Sequence, residues 1–212
     1  MTERQAREAL VEHGRSLFVR GYSCGTSGNL SVRLPDRDGY LMSPTNVSLG
    51  RLTADTISRL DTAGRHIDGA PPTKEAWLHM AMYAARPQDH AVVHLHSTYA
   101  TALSCRSDRP ADDVMPALTP YVIMRVGRVA RVPYSRPGDT APTRSIEQLA
   151  ARHRAVLLAN HGPVIAGRDL DAAVAAAEEL EETSRLFFAL EGRPHQILTP
   201  EQVEELQRVF GA

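Results

Sequence analysis

Hydrophobic positions recur with two periods along this chain, and the switches between the periods mark its elements. Ala6, Leu10, Leu17 and Phe18 share one helical face while Arg7, Glu8, Glu12 and Arg15 occupy the others, and Gly21 follows, which predicts an amphipathic opening helix. YSCGTSGNLSVRL then reads as a Gly/Ser/Asn-rich turn running into an alternating strand, PDRDG as a hairpin turn and YLMSPT as the returning strand. In GAPPTKEAWLHMAMYAARP the apolar period becomes helical, with Thr73 as N-cap, Glu75 in the first turn and Pro87 as terminator.

AVVHLHS is a short β-branched strand, STYATALSC a helix, and RVARVPY a further strand after the segment TPYVIMRVG, with RPGD as a turn. Thr143 to Arg154 reads as a helix, AVLLANHGPVIAG as two strand halves broken at Asn160-His161-Gly162-Pro163, and residues 169–191 as the last long helix. Strands come early in hairpins and later mixed with helices. This order favours a mixed sheet covered by helices, in one domain over residues 1–212, over a doubly wound parallel sheet.

Composition narrows the classes of function. The 24 basic and 25 acidic residues nearly cancel and form no dense basic block, so a nucleic-acid partner is not expected. Apolar runs such as Ala172 to Ala177 are far short of the roughly 20 residues a membrane helix needs. The charged, helically periodic N-terminal stretch lacks the apolar core of a signal peptide, and the only cysteines, Cys24 and Cys105, read as reduced thiols. The expectation is a cytoplasmic protein with no membrane partner.

Two histidines stand apart from this ordinary background. His94 and His96 are two apart in a strand, so both imidazoles project to one side, roughly 7 Å apart at the backbone. His161 sits in a turn between Asn160 and Gly162, where a bend can aim a side chain off a sheet end. Three neutral imidazoles suit one divalent cation, Zn2+ or another first-row metal such as Mn2+ or Co2+. Glu75, after Thr73-Lys74, can both ligate a metal and exchange protons, although a carboxylate there also complements a helix dipole. Asn29, Thr45, Asn46, Thr73 and Lys74 lie in short polar turns and together make an anion cradle, most simply for phosphate; each taken singly is a cap or turn residue. His79 reads as structural, Trp77 and Met80 as core, and the acidic run Glu178 to Glu182 as a solvated helix face.

The segments GTSGNLSVR, SPTNVSLG, PPTKEAWLH, VVHLHSTYATALS and LLANHGPVIAG resemble the class II aldolase/adducin family in order and spacing, over nearly the whole chain. The resemblance implies a three-layer α/β/α fold with a central, mainly antiparallel mixed sheet flanked by helices. It implies that His94, His96 and His161 are zinc ligands and that Glu75 is an acid/base that can also ligate the resting metal. It also implies that Asn29, the Pro44-Thr45-Asn46 turn and Thr73-Lys74 grip a substrate phosphate. Tyr121 resembles a tyrosine that supplies a proton, in relatives across a subunit interface, and relatives are commonly tetramers with interfacial sites.

Within the family, sugar-phosphate aldolases typically carry Gly after the phosphate-turn Thr/Ser and a second Ser before the glutamate, whereas this chain has Asn46 and Lys74. The TKE triplet, the HLHSTYATALSC run and TPYVIMRVG look more like the subgroup that decarboxylates 3-oxo-tetronate 4-phosphates to dihydroxyacetone phosphate and CO2 through an enediolate. The small phosphorylated sugar acid is then the partner. A ketose 1-phosphate aldolase or a ribulose-phosphate 4-epimerase on the same site is the alternative, and a noncatalytic adducin-like binding module a remote one.

Overall fold

The computed structural model describes residues 2–35 and 38–210. Its strands form one eight-stranded sheet in the order β4-β3-β2-β1-β5-β8-β7-β6. In chain order these are β1 (Asn29–Arg33), β2 (Tyr40–Met42), β3 (Ser58–Leu60), β4 (His66–Asp68), β5 (Ala91–His94), β6 (Val129–Val132), β7 (Ala155–Leu158) and β8 (Gly162–Gly167). Every neighbouring pair is antiparallel except β6 with β7, which is parallel. The helices are α1 (Glu3–Val19), α2 (Ala76–Ala85), α3 (Thr98–Ser104), α4 (Pro120–Arg125), α5 (Thr143–Ala150), α6 (Leu170–Leu190) and α7 (Pro200–Phe210).

Period-2 alternation in the central strands divides the core into two layers. Val93, Leu157 and Ile165 face one way, into a cluster with Leu10 and Leu17 of α1, Leu103 of α3, Val122 of α4 and Leu180 of α6. Val92, Val156 and Val164 face the other way, against Leu78 and Met82 of α2 and Ile146 of α5. The result is the three-layer arrangement of a mainly antiparallel mixed sheet between helices. Strands β5, β7 and β8 are buried along their whole length, which is why their sequences are nearly continuous apolar runs.

Several boundaries differ from the sequence reading, each for a local reason. β5 ends at His94 rather than running to Ser97, because its partner β8 begins at Gly162 and pairing extends only to His94↔Val164. β2 stops at Met42, and Pro44, which lacks an N–H, makes only a bridge to Pro72. That bridge, with Thr73 N–H donating to Ser43 O at 3.2 Å, keeps 71–73 extended. Helix α2 therefore starts after Glu75, which is its N-cap, so Thr73 is not the cap; its hydroxyl instead accepts from Glu75 N–H at 3.2 Å. Helix α5 ends at Ala150, four residues early, where His153 folds back to donate to Arg128 O.

TPYVIMRVG contains α4, capped by Thr119 with Pro120 at its start. Strands β3 and β4 and the amphipathic α7 carry no signal used above, being three residues long or, for α7, lying beyond the last predicted helix. The hairpin turn at PDRDG includes residues 36 and 37, which lie outside the described residues. The acidic run on α6 is not a solvated face throughout: Glu181 is buried and accepts from Tyr99 N–H at 2.9 Å and Ala100 N–H at 2.7 Å, capping α3, whose N-cap Ser97 makes no side-chain cap bond. Among the described residues no helix is long and apolar enough to cross a membrane.

Candidate metal centre and polar cavity

At one end of the sheet β5 and β8 deliver three imidazoles to a point, and the start of α2 delivers a carboxylate. His94 closes β5 on the α2 face, His96 follows two residues later, and His161 sits in the β7–β8 turn. That turn is tight: Asn160 has φ 57° and Gly162 φ 154°, and a Cβ on Gly162 would lie 2.3 Å from Leu95 O. Only glycine lets the two chains approach closely enough to bring His161 beside His96.

The Nε2 atoms of His94 and His96 are 3.1 Å apart, and those of His96 and His161 are 3.0 Å apart. Glu75 Oε2 lies 3.4 Å from His94 Nε2, and Glu75 Oε1 lies 3.3 Å from His161 Nε2. One donor atom from each of the four residues lies within 4.8 Å of every other. A tetrahedron with metal–ligand bonds of about 2.0 Å has edges of roughly 3.3 Å, so these separations are those of a ligand cage.

Protonation states suit the same purpose. His94 Nδ1 lies 2.8 Å from Pro163 O, a pure acceptor, so Nδ1 carries the proton and Nε2 presents its lone pair to the cluster. Burial holds His94 down at about 4 and lowers His96 as well, leaving neutral imidazoles at physiological pH. For Glu75 burial acts upward, but His94, the Asn29 hydrogen bond, His161 and His96 together bring it below the ordinary carboxylate value, so it is ionised. Three imidazole nitrogens and one carboxylate converging on a centre fit a divalent first-row cation.

Outward from the cluster a polar cavity of about 320 Å³ opens. Its wall includes Asn29, Thr45, Asn46, Thr73, Lys74, Glu75 and His96, together with Thr26, Ser27, Gly28 and the Pro137-Gly138 turn. The Pro44–Pro72 bridge and the Thr45 N–H bond to Pro71 O, at 2.9 Å, set the 44–46 turn against 71–74. Asn46 has φ 58°, a conformation Asn tolerates better than most residues. Lys74 and Asn46 are exposed, whereas Asn29 is buried and its amide already serves protein groups: Nδ2–H donates to Glu75 Oε2 at 2.8 Å and Oδ1 accepts from His79 Nε2.

The structure thus brings together nine of the ten residues singled out from the sequence. Tyr121 is the tenth: it lies on α4, is exposed, stacks under Arg125 and is absent from the cavity wall. In the sequence Thr26 and Ser27 read only as parts of a Gly/Ser/Asn-rich turn within a family-like segment, and Pro137-Gly138 as a plain RPGD turn. Nothing in those residue types alone announces a cavity wall.

A family model, the Class II Aldolase and Adducin N-terminal domain, matches residues 8–188, and the chain belongs to this family. Among curated relatives, the 3-oxo-tetronate 4-phosphate decarboxylase of Haemophilus influenzae is 45% identical over 207 residues, covering 98% of this chain and 98% of that protein. The protein of the same name from Pectobacterium atrosepticum is 46% identical over 205 residues, covering 97% and 94%. Of solved structures, YgbL of Klebsiella pneumoniae superposes with a TM-score of 0.94 at 48% identity, covering 97% of this chain and 99% of that one.

Proposed function

We propose that this protein is a metal-dependent carboxy-lyase that converts a 3-oxo-tetronate 4-phosphate to dihydroxyacetone phosphate and CO2. The observation that carries the reading is the convergence of three inward-facing imidazole nitrogens and the Glu75 carboxylate at the floor of a polar cavity. The near full-length relatives carrying that activity in their names support the choice of substrate.

His94, His96, His161 and, in the resting state, Glu75 hold the cation, with zinc the first choice for this donor set and manganese or cobalt the alternatives. When bound, the cation would supply Lewis acidity to stabilise the negative charge that develops on the substrate, an effect worth several kcal/mol in such sites. Thr45, Asn46, Thr73 and Lys74 receive the phosphate, with Asn29 at the inner edge, and Lys74 is the one ammonium on the wall for phosphate or carboxylate.

The reaction breaks C1–C2, leaves the electron pair on C2–C3 as an enediolate and takes up one proton at C2. Glu75, ionised at neutral pH, takes the C2 hydroxyl proton and passes it to C2, and solvent restores the hydroxyl proton. Tyr121 contributes a second proton donor from a neighbouring protomer in a tetramer with interfacial sites; its exposure and its absence from its own cavity wall support that assignment. The protein works in the cytoplasm.

The test is to incubate zinc-loaded protein with a 3-oxo-tetronate 4-phosphate and follow CO2 and dihydroxyacetone phosphate together. Equal amounts of both, stopped by a chelator, are expected. No product above the spontaneous rate would overturn the reading and turn attention to ketose 1-phosphates, since relatives 33–34% identical are named aldolases.

A further inference from the structure

Behind Glu75 a line of five side chains runs away from the cavity into the interior: Glu75, Asn29, His79, Ser31 and Tyr83. Asn29 Nδ2 is 2.8 Å from Glu75 Oε2, and Asn29 Oδ1 is in short contact with His79 Nε2. His79 Nδ1 is 2.7 Å from Ser31 Oγ, which is 2.8 Å from Tyr83 OH. His79 and Ser31 are completely buried and Tyr83 nearly so.

Elementary donor and acceptor rules fix the direction of every bond. Asn29 Nδ2 lies 2.8 Å from Glu75 Oε2 and its carbonyl Oδ1 lies against His79 Nε2, so the amide donates to the carboxylate and accepts from the ring. A carbonyl only accepts, so His79 Nε2 carries the proton. Burial holds the His79 ring neutral, with a pKa lowered to about 3, so Nδ1 is bare and accepts the Ser31 hydroxyl proton. Ser31 Oγ is then free to accept from Tyr83, whose phenol burial keeps protonated. All four bonds point toward the carboxylate, and reversing any one leaves two acceptors or two donors facing each other.

We infer that His79 is a positioning residue, which through Asn29 fixes the orientation of the Glu75 carboxylate. The inference rests on the reading of Glu75 as the acid/base. His79 lies one helical turn after Glu75, the N-cap of α2, so the helix that starts at the carboxylate also carries the group that aims it. A hydrogen-bonded partner of this kind commonly changes activity by about 10- to 100-fold when removed.

The experiment uses full-length, zinc-loaded protein labelled with 15N in its histidine rings. The His79 resonances are expected to show Nε2 protonated and Nδ1 bare across neutral pH; a protonated Nδ1 overturns the chain without reference to turnover. Kinetically, His79→Leu is expected to lower kcat roughly 30-fold with KM within about twofold and zinc stoichiometry intact. His79→Gln, whose amide can still donate to Asn29, should recover most of the loss. In an Asn29→Ala background, His79→Leu should cost less than about twofold more, because the path is already cut. Multiplicative losses, or a Gln variant no better than Leu, overturn the assignment. If Glu75→Gln turns over normally, the acid/base reading fails instead, and the ring tautomer still decides the chain by itself.

Discussion

The floor and the rim of the cavity are built to different standards. The floor is set on a strand end, a glycine-locked turn and a helix cap, and three of its groups are oriented by another: His94 by Pro163 O, Glu75 by Asn29, Asn29 by His79. The rim is made of loops. Asn46, Lys74, Pro137 and Gly138 are exposed, and among the described residues no side-chain hydrogen bond anchors Lys74 or Asn46. On the proposed function, the difference separates chemistry from choice of substrate: polarising and proton-moving groups tolerate little displacement, whereas a rim on loops can change its partner without disturbing them.

The strongest way to break this comparison is at the floor. His96→Ala removes the nitrogen that sits 3.1 Å and 3.0 Å from its two neighbours, and both bound zinc and turnover should be lost together. Metal analysis by inductively coupled plasma on purified variant, beside an activity assay, checks it; retained stoichiometric zinc would mean that the cage is not the binding site. Glu75→Gln preserves shape and should keep the cation on three imidazoles while lowering kcat by about 10²- to 10⁴-fold. Loss of zinc in that variant would make Glu75 an obligatory ligand rather than the proton carrier.

How far the sequence exposed these two regions follows the same division. The two central histidines lay in a β-branched run and the third in an Asn-His-Gly turn, so residue type, period and turn chemistry all pointed to one place. The layered sheet was legible because β5, β7 and β8 are nearly continuous apolar runs. Glu75 was assigned to a first helical turn, yet it is the cap, because a nonlocal bridge between Pro44 and Pro72 delays the helix. His79 read as structural; its link to Glu75 depends on Asn29, distant in sequence, coming to lie between them. Glu181 read as solvated because nothing local reveals that α3 needs a cap from α6. Contacts of this kind belong to tertiary packing, and no periodicity encodes them.

The comparison sharpens with pH. His79 and His94 are buried and neutral in the folded chain, at about 3 and about 4 against an ordinary 6.5. The unfolded chain therefore binds more protons, and stability falls as pH drops below 6.5, continuing to about 4 for His94 and about 3 for His79. Between neutrality and pH 5 each ring should cost the metal-free protein roughly 2 kcal/mol. Urea unfolding at pH 7.5 and pH 5 measures the drop, and His79→Gln should lose about half of it. Rim substitutions should leave it unchanged; a drop that survives undiminished in His79→Gln would place the acid sensitivity elsewhere.

The smallest effect belongs to the rim, and it is the most informative about specificity. Lys74 is exposed, so its ammonium is largely screened until a ligand covers it. Its removal should leave the floor intact. Lys74→Ala is expected to raise KM about tenfold, equivalent to about 1.4 kcal/mol of binding, with kcat changed by less than about threefold and zinc unaffected. Inorganic phosphate as a competitive inhibitor separates the two anions the lysine could meet. If Lys74 faces the phosphate, the variant's inhibition constant for inorganic phosphate should rise by the same factor as KM. If it faces the carboxylate, phosphate inhibition stays as it was while KM still rises, and kcat falls along with it, because the group that leaves as CO2 has lost its orientation. A variant indistinguishable from the parent in all three constants would assign the ammonium to solvent and leave anion binding to Thr45, Asn46 and Thr73, with specificity carried by backbone N–H groups and hydroxyls alone.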